Sequence, residues 1–177
     1  MLDILKVAVL GAGSLGQHHA KHYAALAREG VVDFVGLYDA DTARAKIIAA
    51  KYNVPVLASV DAALAEAEAV NVVTPTVTHF DLSSQLLRAG CHVLVEKPMT
   101  DTTAQAAELI RLAQVNKCVL QVGHIERFNP VFDYLQKVAR EPRFIETHRL
   151  SPYPKRSLDI GVVLDLMIHD LDIVLAF

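Results

Sequence analysis

Tryptophan is absent from the 177 residues, and aromatic residues make up only 6% of them. That removes the indole platform on which bases are stacked by single-strand binders. Cysteine is scarce as well. Cys91 and Cys118 stand far apart with no metal-type spacing, and they read as two reduced, buried thiols of a cytosolic protein. There is no surplus of positive charge: 17 Lys and Arg face 20 Asp and Glu, a net charge of −3. Nucleic acid and anionic membrane surfaces are therefore not expected partners. No apolar run reaches the roughly 18 residues that cross a bilayer. Residues 1–13 lack the charged region and cleavage site of a signal peptide, so the expected location is cytoplasmic.

What is present is a rhythm. Hydrophobic residues reach 53%, ample for a core. Short apolar, β-branched runs at 6–10, 34–38, 69–74, 92–96 and 119–123 read as parallel strands buried on both faces. Helical spacing fills the intervals at 15–28, 42–52, 61–66, 80–89 and 102–116. Asp101 or Thr102 is the expected cap of the last of these. The alternation predicts an α/β fold, a doubly wound parallel sheet, over residues 1–125. Residues 126–177 break the rhythm and predict the beginning of a second, incomplete α+β domain. It holds a helix at 131–140, a strand at 144–150, a Pro-rich loop at 151–159 and an apolar helix at 160–177. That last helix reaches the final residue without a cap. An apolar face needs a partner, so the second domain is expected to be truncated here.

The chemistry begins at Gly11-Ala12-Gly13-Ser14-Leu15-Gly16. This glycine pattern follows a predicted strand and opens a predicted helix, the context a dinucleotide-binding turn requires. Gly11 permits the tight turn, Gly13 the approach of a pyrophosphate, and Gly16 close helix–strand packing. The helix N-terminus then offers N–H groups and partial positive charge to phosphates. Asp39 ends the second strand, where a carboxylate accepts ribose hydroxyls and repels a 2′-phosphate. NAD is thus the expected cofactor, ahead of NADP. Arg44 weakens that preference if it swings toward the ribose. Asp39 also fits a plain turn or capping residue.

Three further segments are expected at the carboxyl edge of the sheet: Thr74-Pro75 with His79, Glu96-Lys97-Pro98, and the stretch from Gly123. Lys97 precedes a proline that sets a strict turn, and a lysine there can orient substrate or carry a proton. By itself it also reads as a surface lysine. Asp165 and His169 are four residues apart on an otherwise apolar helix. Two ionisable groups so placed line a site or pair with each other. His18 and His22 share the same spacing, but no third ligand stands nearby. No metal is expected, and they read as packing or exposed histidines.

Taken together, these motifs resemble the Gfo/Idh/MocA family of sugar and inositol oxidoreductases. The resemblance rests on the glycine loop, Asp39, Thr74-Pro75 with His79, Glu96-Lys97-Pro98, Arg127-Phe128-Asn129-Pro130, and Asp165 with His169. It implies hydride transfer between a nicotinamide ring and a carbinol carbon of a sugar or nucleotide sugar. It assigns catalysis to Lys97, Asp165 and His169. Cofactor binding falls to Gly11, Ala12, Gly13, Ser14, Leu15, Gly16, Asp39, Thr74, Pro75, His79, Glu96 and Lys97. Residues 163–172 look most like the branch acting at the 3-position of UDP-N-acetylglucosamine. Family members are longer and carry an open, mostly antiparallel sheet that walls the substrate site and joins subunits. A homo-oligomer is therefore expected, and this chain is expected to bind NAD with little turnover. Two other readings use the same fold: a non-catalytic dinucleotide-sensing module, and an imine or biliverdin-type reductase. Neither needs Lys97, Asp165 and His169 together.

Overall fold

The computed structural model describes residues 4–150 and 161–177. The Pro-rich loop expected at 151–159 lies outside the described residues. The chain divides into two compact units, Met1–Val122 and Gly123–Phe177.

The first unit is a five-stranded parallel sheet ordered β2-β1-β3-β4-β5. Its strands are β1 (Leu5–Leu10), β2 (Val32–Tyr38), β3 (Ala69–Val72), β4 (His92–Val95) and β5 (Leu120–Val122). The helices between them are α1 (Gly16–Arg28), α2 (Thr42–Tyr52), α3 (Val60–Glu66), α4 (His79–Arg88) and α5 (Thr103–Asn116). Residues alternate between the two faces of each strand. On β1, Val7 and Val9 join Ala20, Ala24, Ile48 and Ala49 under α1 and α2. Ala8 and Leu10 face the other way, into a cluster with Leu86, Leu87, Leu109 and Leu112 of α4 and α5. Each fully buried Leu or Val contributes about 1.5–3 kcal/mol relative to exposure. The core therefore lies in two layers that pin α1 and the strand ends in place.

Local chemistry explains the element ends. Asp41 caps α2 by accepting from Arg44 N, and Asn53 closes it in a left-handed conformation. Thr102 is the cap of α5, in a reciprocal box with Gln105. Cys91 is buried as expected, whereas Cys118 is half-buried.

One strand escaped sequence reasoning. Leu37 N donates to Pro55 O at 3.0 Å and Leu57 N donates to Leu37 O at 2.8 Å, so residues 55–57 add a rudimentary strand beside β2. Pro55 has no N–H to offer, and a proline is tolerated in a sheet mainly at its edge. With that edge included, the sheet runs outward from β1 in both directions. Ligands bind in the crevice that such a reversal opens at the carboxyl ends of the strands.

The second unit holds α6 (Pro130–Val138), a π-helical turn (Val163–Met167) and α7 (Ile168–Val174). Asn129 caps α6 by accepting from Val131 N, with Pro130 in the first turn. The strand expected at 144–150 does not form, and those residues carry no regular structure. A strand exists only when a neighbour takes up its backbone N–H and C=O groups, and none of the described residues does so for this segment. The long apolar helix forms from 163 onward, but its first part winds as a π turn instead of an α-helix.

Ion pairs tie this unit together. Arg127 donates from Nε and Nη2 to the two oxygens of Asp172, each at 2.7 Å. Arg149 forks onto Asp170 in the same way, at 2.9–3.1 Å. The Arg127 bond holds the Asp172 carboxyl below the ordinary carboxylate range, against partial burial. A depressed carboxyl stabilises the fold above its unfolded value of about 3.9 and loses that contribution as pH falls through the folded value. Asp172→Asn is expected to cost about 1 kcal/mol at pH 7. The figure stays small because Arg127 is 40% exposed and water screens the pair. Thermal unfolding followed by circular dichroism at pH 7 and at pH 3 checks this. The difference between parent and variant should be full at pH 7 and smaller at pH 3.

Candidate functional site

The glycine loop emerges from β1 at the reversal point of the sheet. Gly11 sits at φ +97°, and a Cβ there would run into the Val73 backbone carbonyl. Only glycine adopts that conformation without strain. A Cβ on Gly16 would run into the Gly11 carbonyl, so α1 packs as closely on the loop as backbone allows. Gly13 is different: a Cβ added there meets no protein atom within 4 Å. Its open side is the cradle that a side chain would fill and a pyrophosphate can occupy. Helix α1 starts at Gly16 with no side chain capping it. Gln17 N and His18 N donate to Gly13 O and Leu15 O at 3.1 and 2.8 Å, so what this end of the helix offers an anion is chiefly the positive end of its dipole. Ser14 and Leu15 are exposed at this turn.

Asp39 anchors the loop from the neighbouring strand. It is 8% exposed. Its Oδ2 accepts from Ala12 N at 2.7 Å and its Oδ1 from Asp41 N at 2.8 Å. A carboxylate has about four acceptor positions, so two remain for ribose hydroxyls. Arg44 stands 3.5 Å from Asp39 Oδ2 and 3.1 Å from Asp41 Oδ2. Asp39 is thus both a turn residue and a candidate ribose acceptor, two readings the sequence left open.

The strand ends after β3 and β4 meet at one clasp. Thr78 Oγ1 donates to Pro75 O at 2.7 Å and lies 2.7 Å from Thr74 Oγ1. That closes the turn over Thr76–Thr78. His79 is only 1% exposed. Its Nε2 lies 2.8 Å from Thr74 O and its Nδ1 2.8 Å from Pro98 O. His79 is thus buried between the two loops. It contributes by holding the loops together. The Lys97–Pro98 bond is cis.

Glu96 is also inward-facing, at 7% exposure. It accepts from His19 Nε2 at 3.0 Å and from Lys97 N at 3.2 Å. Burial alone would raise its carboxyl, but the bonds from His19 and Lys97 N and the charge of Lys97 hold it below the usual range. Lys97 itself is half-buried at the end of β4.

Asp165 and His169 belong to the second unit. Asp165 lies in the π-helical turn and His169 in the first turn of α7. Both are half-buried. Widened turns of this kind recur at functional sites. His124 and Asp172 stand 3.9 Å apart near the start and end of the same unit.

Residues 5–124 match the GFO_IDH_MocA model, described as an oxidoreductase family with an NAD-binding Rossmann fold. The chain belongs to this family. It is 44% identical over 172 residues to the UDP-N-acetylglucosamine 3-dehydrogenase of Acidithiobacillus ferrooxidans, covering 97% of this chain and 53% of that enzyme. A solved structure of that enzyme superposes with a TM-score of 0.90, covering 99% of this chain and 57% of the other. The inositol 2-dehydrogenase of Rhizobium meliloti is 32% identical over 95% of this chain and 53% of its own length. GenD2 from gentamicin A biosynthesis, solved in complex with NAD, matches at 28% identity and a TM-score of 0.82, over 98% and 53% of the two chains. The chain thus spans about half the length of the relatives it matches.

Family membership makes NAD the cofactor, as the glycine loop and Asp39 led one to expect. The Gfo/Idh/MocA fold here also contains residues that sequence spacing overlooked. His18 and His22 drew attention by their spacing, yet both are exposed. The equally spaced pair one position on, His19 and Tyr23, faces inward. Tyr23 donates to Asn71 Oδ1 at 3.0 Å, and Asn71 Nδ2 lies 2.9 Å from His19 Nδ1. The only signal in sequence was that Asn71 interrupts an apolar strand.

Proposed function

We propose that this chain carries the cofactor half of an NAD-dependent dehydrogenase acting on a nucleotide sugar, with the 3-position of UDP-N-acetylglucosamine as its reacting centre. The single observation behind the substrate is the 44% identity, over 97% of the chain, to an enzyme of that name. The glycine loop and the N-terminus of α1 hold the pyrophosphate, and Asp39 takes the adenosine ribose. NAD, when bound, supplies the hydride acceptor at C4 of its nicotinamide. Oxidation of the carbinol then removes one hydride and one proton, leaving a ketone. Lys97 polarises the carbinol oxygen, His169 accepts its proton, and Asp165 orients the histidine or the substrate. These roles follow from the family resemblance and from the placement of Lys97 at a strand end. The reading includes residues 126–177 as the start of a substrate and oligomerisation domain. In support, α6 exposes Val131, Tyr134 and Val138, a stripe at helical spacing that water disfavours.

The test has two parts. Calorimetric titration of the 177-residue chain with NAD is expected to show saturable binding; none would overturn the cofactor half. NADH formation is then followed with a panel of UDP-sugars, on the chain alone and on the chain extended by the second half of the Acidithiobacillus relative. The extended form is expected to turn over UDP-N-acetylglucosamine, and the chain alone far more slowly. NADH formation from another UDP-sugar but not this one would overturn the substrate.

A further inference from the structure

The bonds around Lys97 have a direction. Tyr23 donates its hydroxyl proton to Asn71 Oδ1. The amide has one acceptor end and one donor end, so its Nδ2 faces His19 as a donor. His19 Nδ1 therefore accepts, at 2.9 Å, and the ring proton sits on Nε2. Nε2 in turn donates to Glu96 Oε1 at 3.0 Å. The other carboxylate oxygen, Oε2, accepts from Lys97 N at 3.2 Å. Each link sets the next, from α1 across β3 to the end of β4.

The network also joins two functional parts. His19 lies one turn inside α1, the helix whose N-terminus faces the glycine loop. Glu96 immediately precedes Lys97. The four bonds are part-buried, and a linked network withdrawn from bulk water restricts the arrangements its groups can take.

We propose that His19 is a positioning residue: with Asn71 and Tyr23 behind it, it holds the Glu96 carboxylate in one orientation and so places Lys97 relative to the glycine loop. The inference rests on the role given to Lys97 above, but its structural part can be tested without turnover. Nothing in the loop motif requires a histidine at this position. The Nε2 donor is the functional atom, and a glutamine, whose Nε2 reaches a similar point, can replace it.

The experiment uses the 177-residue chain with its lysines reductively ¹³C-methylated, the Lys97 signal being assigned with Lys97→Arg. His19→Leu is expected to move and broaden that signal, and His19→Gln to return it toward the parent position. NADH binding should stay within about fivefold in both, because the glycine loop is untouched. ¹⁵N spectra of the parent are expected to show the His19 proton on Nε2. A proton on Nδ1, an unmoved Lys97 signal in His19→Leu, or His19→Gln behaving like His19→Leu overturns the proposal. Should His19→Leu fail to fold, Tyr23→Phe removes only a hydroxyl and must move the signal the same way; no movement overturns it too. In the turnover assay, His19→Leu is expected to lower kcat by roughly 10- to 100-fold, with KM for NAD within about threefold. If Lys97→Ala leaves turnover intact, the role of Lys97 falls while the spectroscopic result stands, so the two failures are distinguishable.

Discussion

Gly16→Ala is expected to destabilise the first unit and abolish measurable NAD binding. The added Cβ would collide with the Gly11 carbonyl carbon and oxygen, both backbone atoms of a tight turn. Backbone cannot swing aside as a flexible side chain does, so α1 must lift from the loop. Overpacking of this kind costs about 3 kcal/mol, or roughly 10 °C in Tm for a unit of this size. Lifting α1 also withdraws its N–H groups from the phosphate position. Gly13→Ala is the matched control. Its Cβ would enter open space with no protein atom within 4 Å, so Tm should hardly change. The same methyl group fills the cradle, so NAD affinity should still fall at least about tenfold, roughly 1.4 kcal/mol. Thermal unfolding and NAD titration of the two variants separate packing from ligand clearance. If Gly13→Ala binds NAD as the parent does, the cradle has been placed wrongly.

Lys97→Ala should produce the largest loss in turnover. A positioned acid or base, or a polarising cation, contributes about 10²- to 10⁴-fold to a proton-coupled step, and kcat in the extended form should fall within that range. NADH affinity should stay within about threefold, because the glycine loop and Asp39, which carry the dinucleotide, do not depend on the ammonium group. Stability should change little too. Lys97 is half-buried at a strand end, outside both apolar clusters. Lys97→Arg is expected to recover only part of the rate, since a planar guanidinium does not replace a compact ammonium in a site built for one. Turnover of Lys97→Ala within tenfold of the parent would remove Lys97 from the reaction.

Much of the first unit was legible in the chain because its signals are local. Strand and helix periods, the glycine loop and the caps each depend on a few neighbouring residues, and the five strands and their order of appearance follow from them. The edge at 55–57 was not legible, because Pro55 masks a short strand held by its pairing with Leu37 and by the burial of Leu57. The strand expected at 144–150 failed for the converse reason: alternation was present, but among the described residues no neighbouring strand pairs with it. The π turn over Val163–Met167 has no signature in composition, since it arises from how one helix closes its hydrogen bonds.

Sequence by itself determined the five strands and five helices of the first unit, the glycine loop that opens its first helix, and the expectation of NAD. Those properties reside in short-range steric limits and in the chemistry of single residues. Only the tertiary structure decided what each polar side chain does. It set His79 as a clasp between Thr74 and Pro98, and gave Asp39 two backbone partners. It left His18 and His22 exposed and turned His19 and Tyr23 inward. Such choices depend on which face of a helix meets which strand. Hydrogen-bond partners 19 to 77 residues apart in the chain meet only once the sheet has formed.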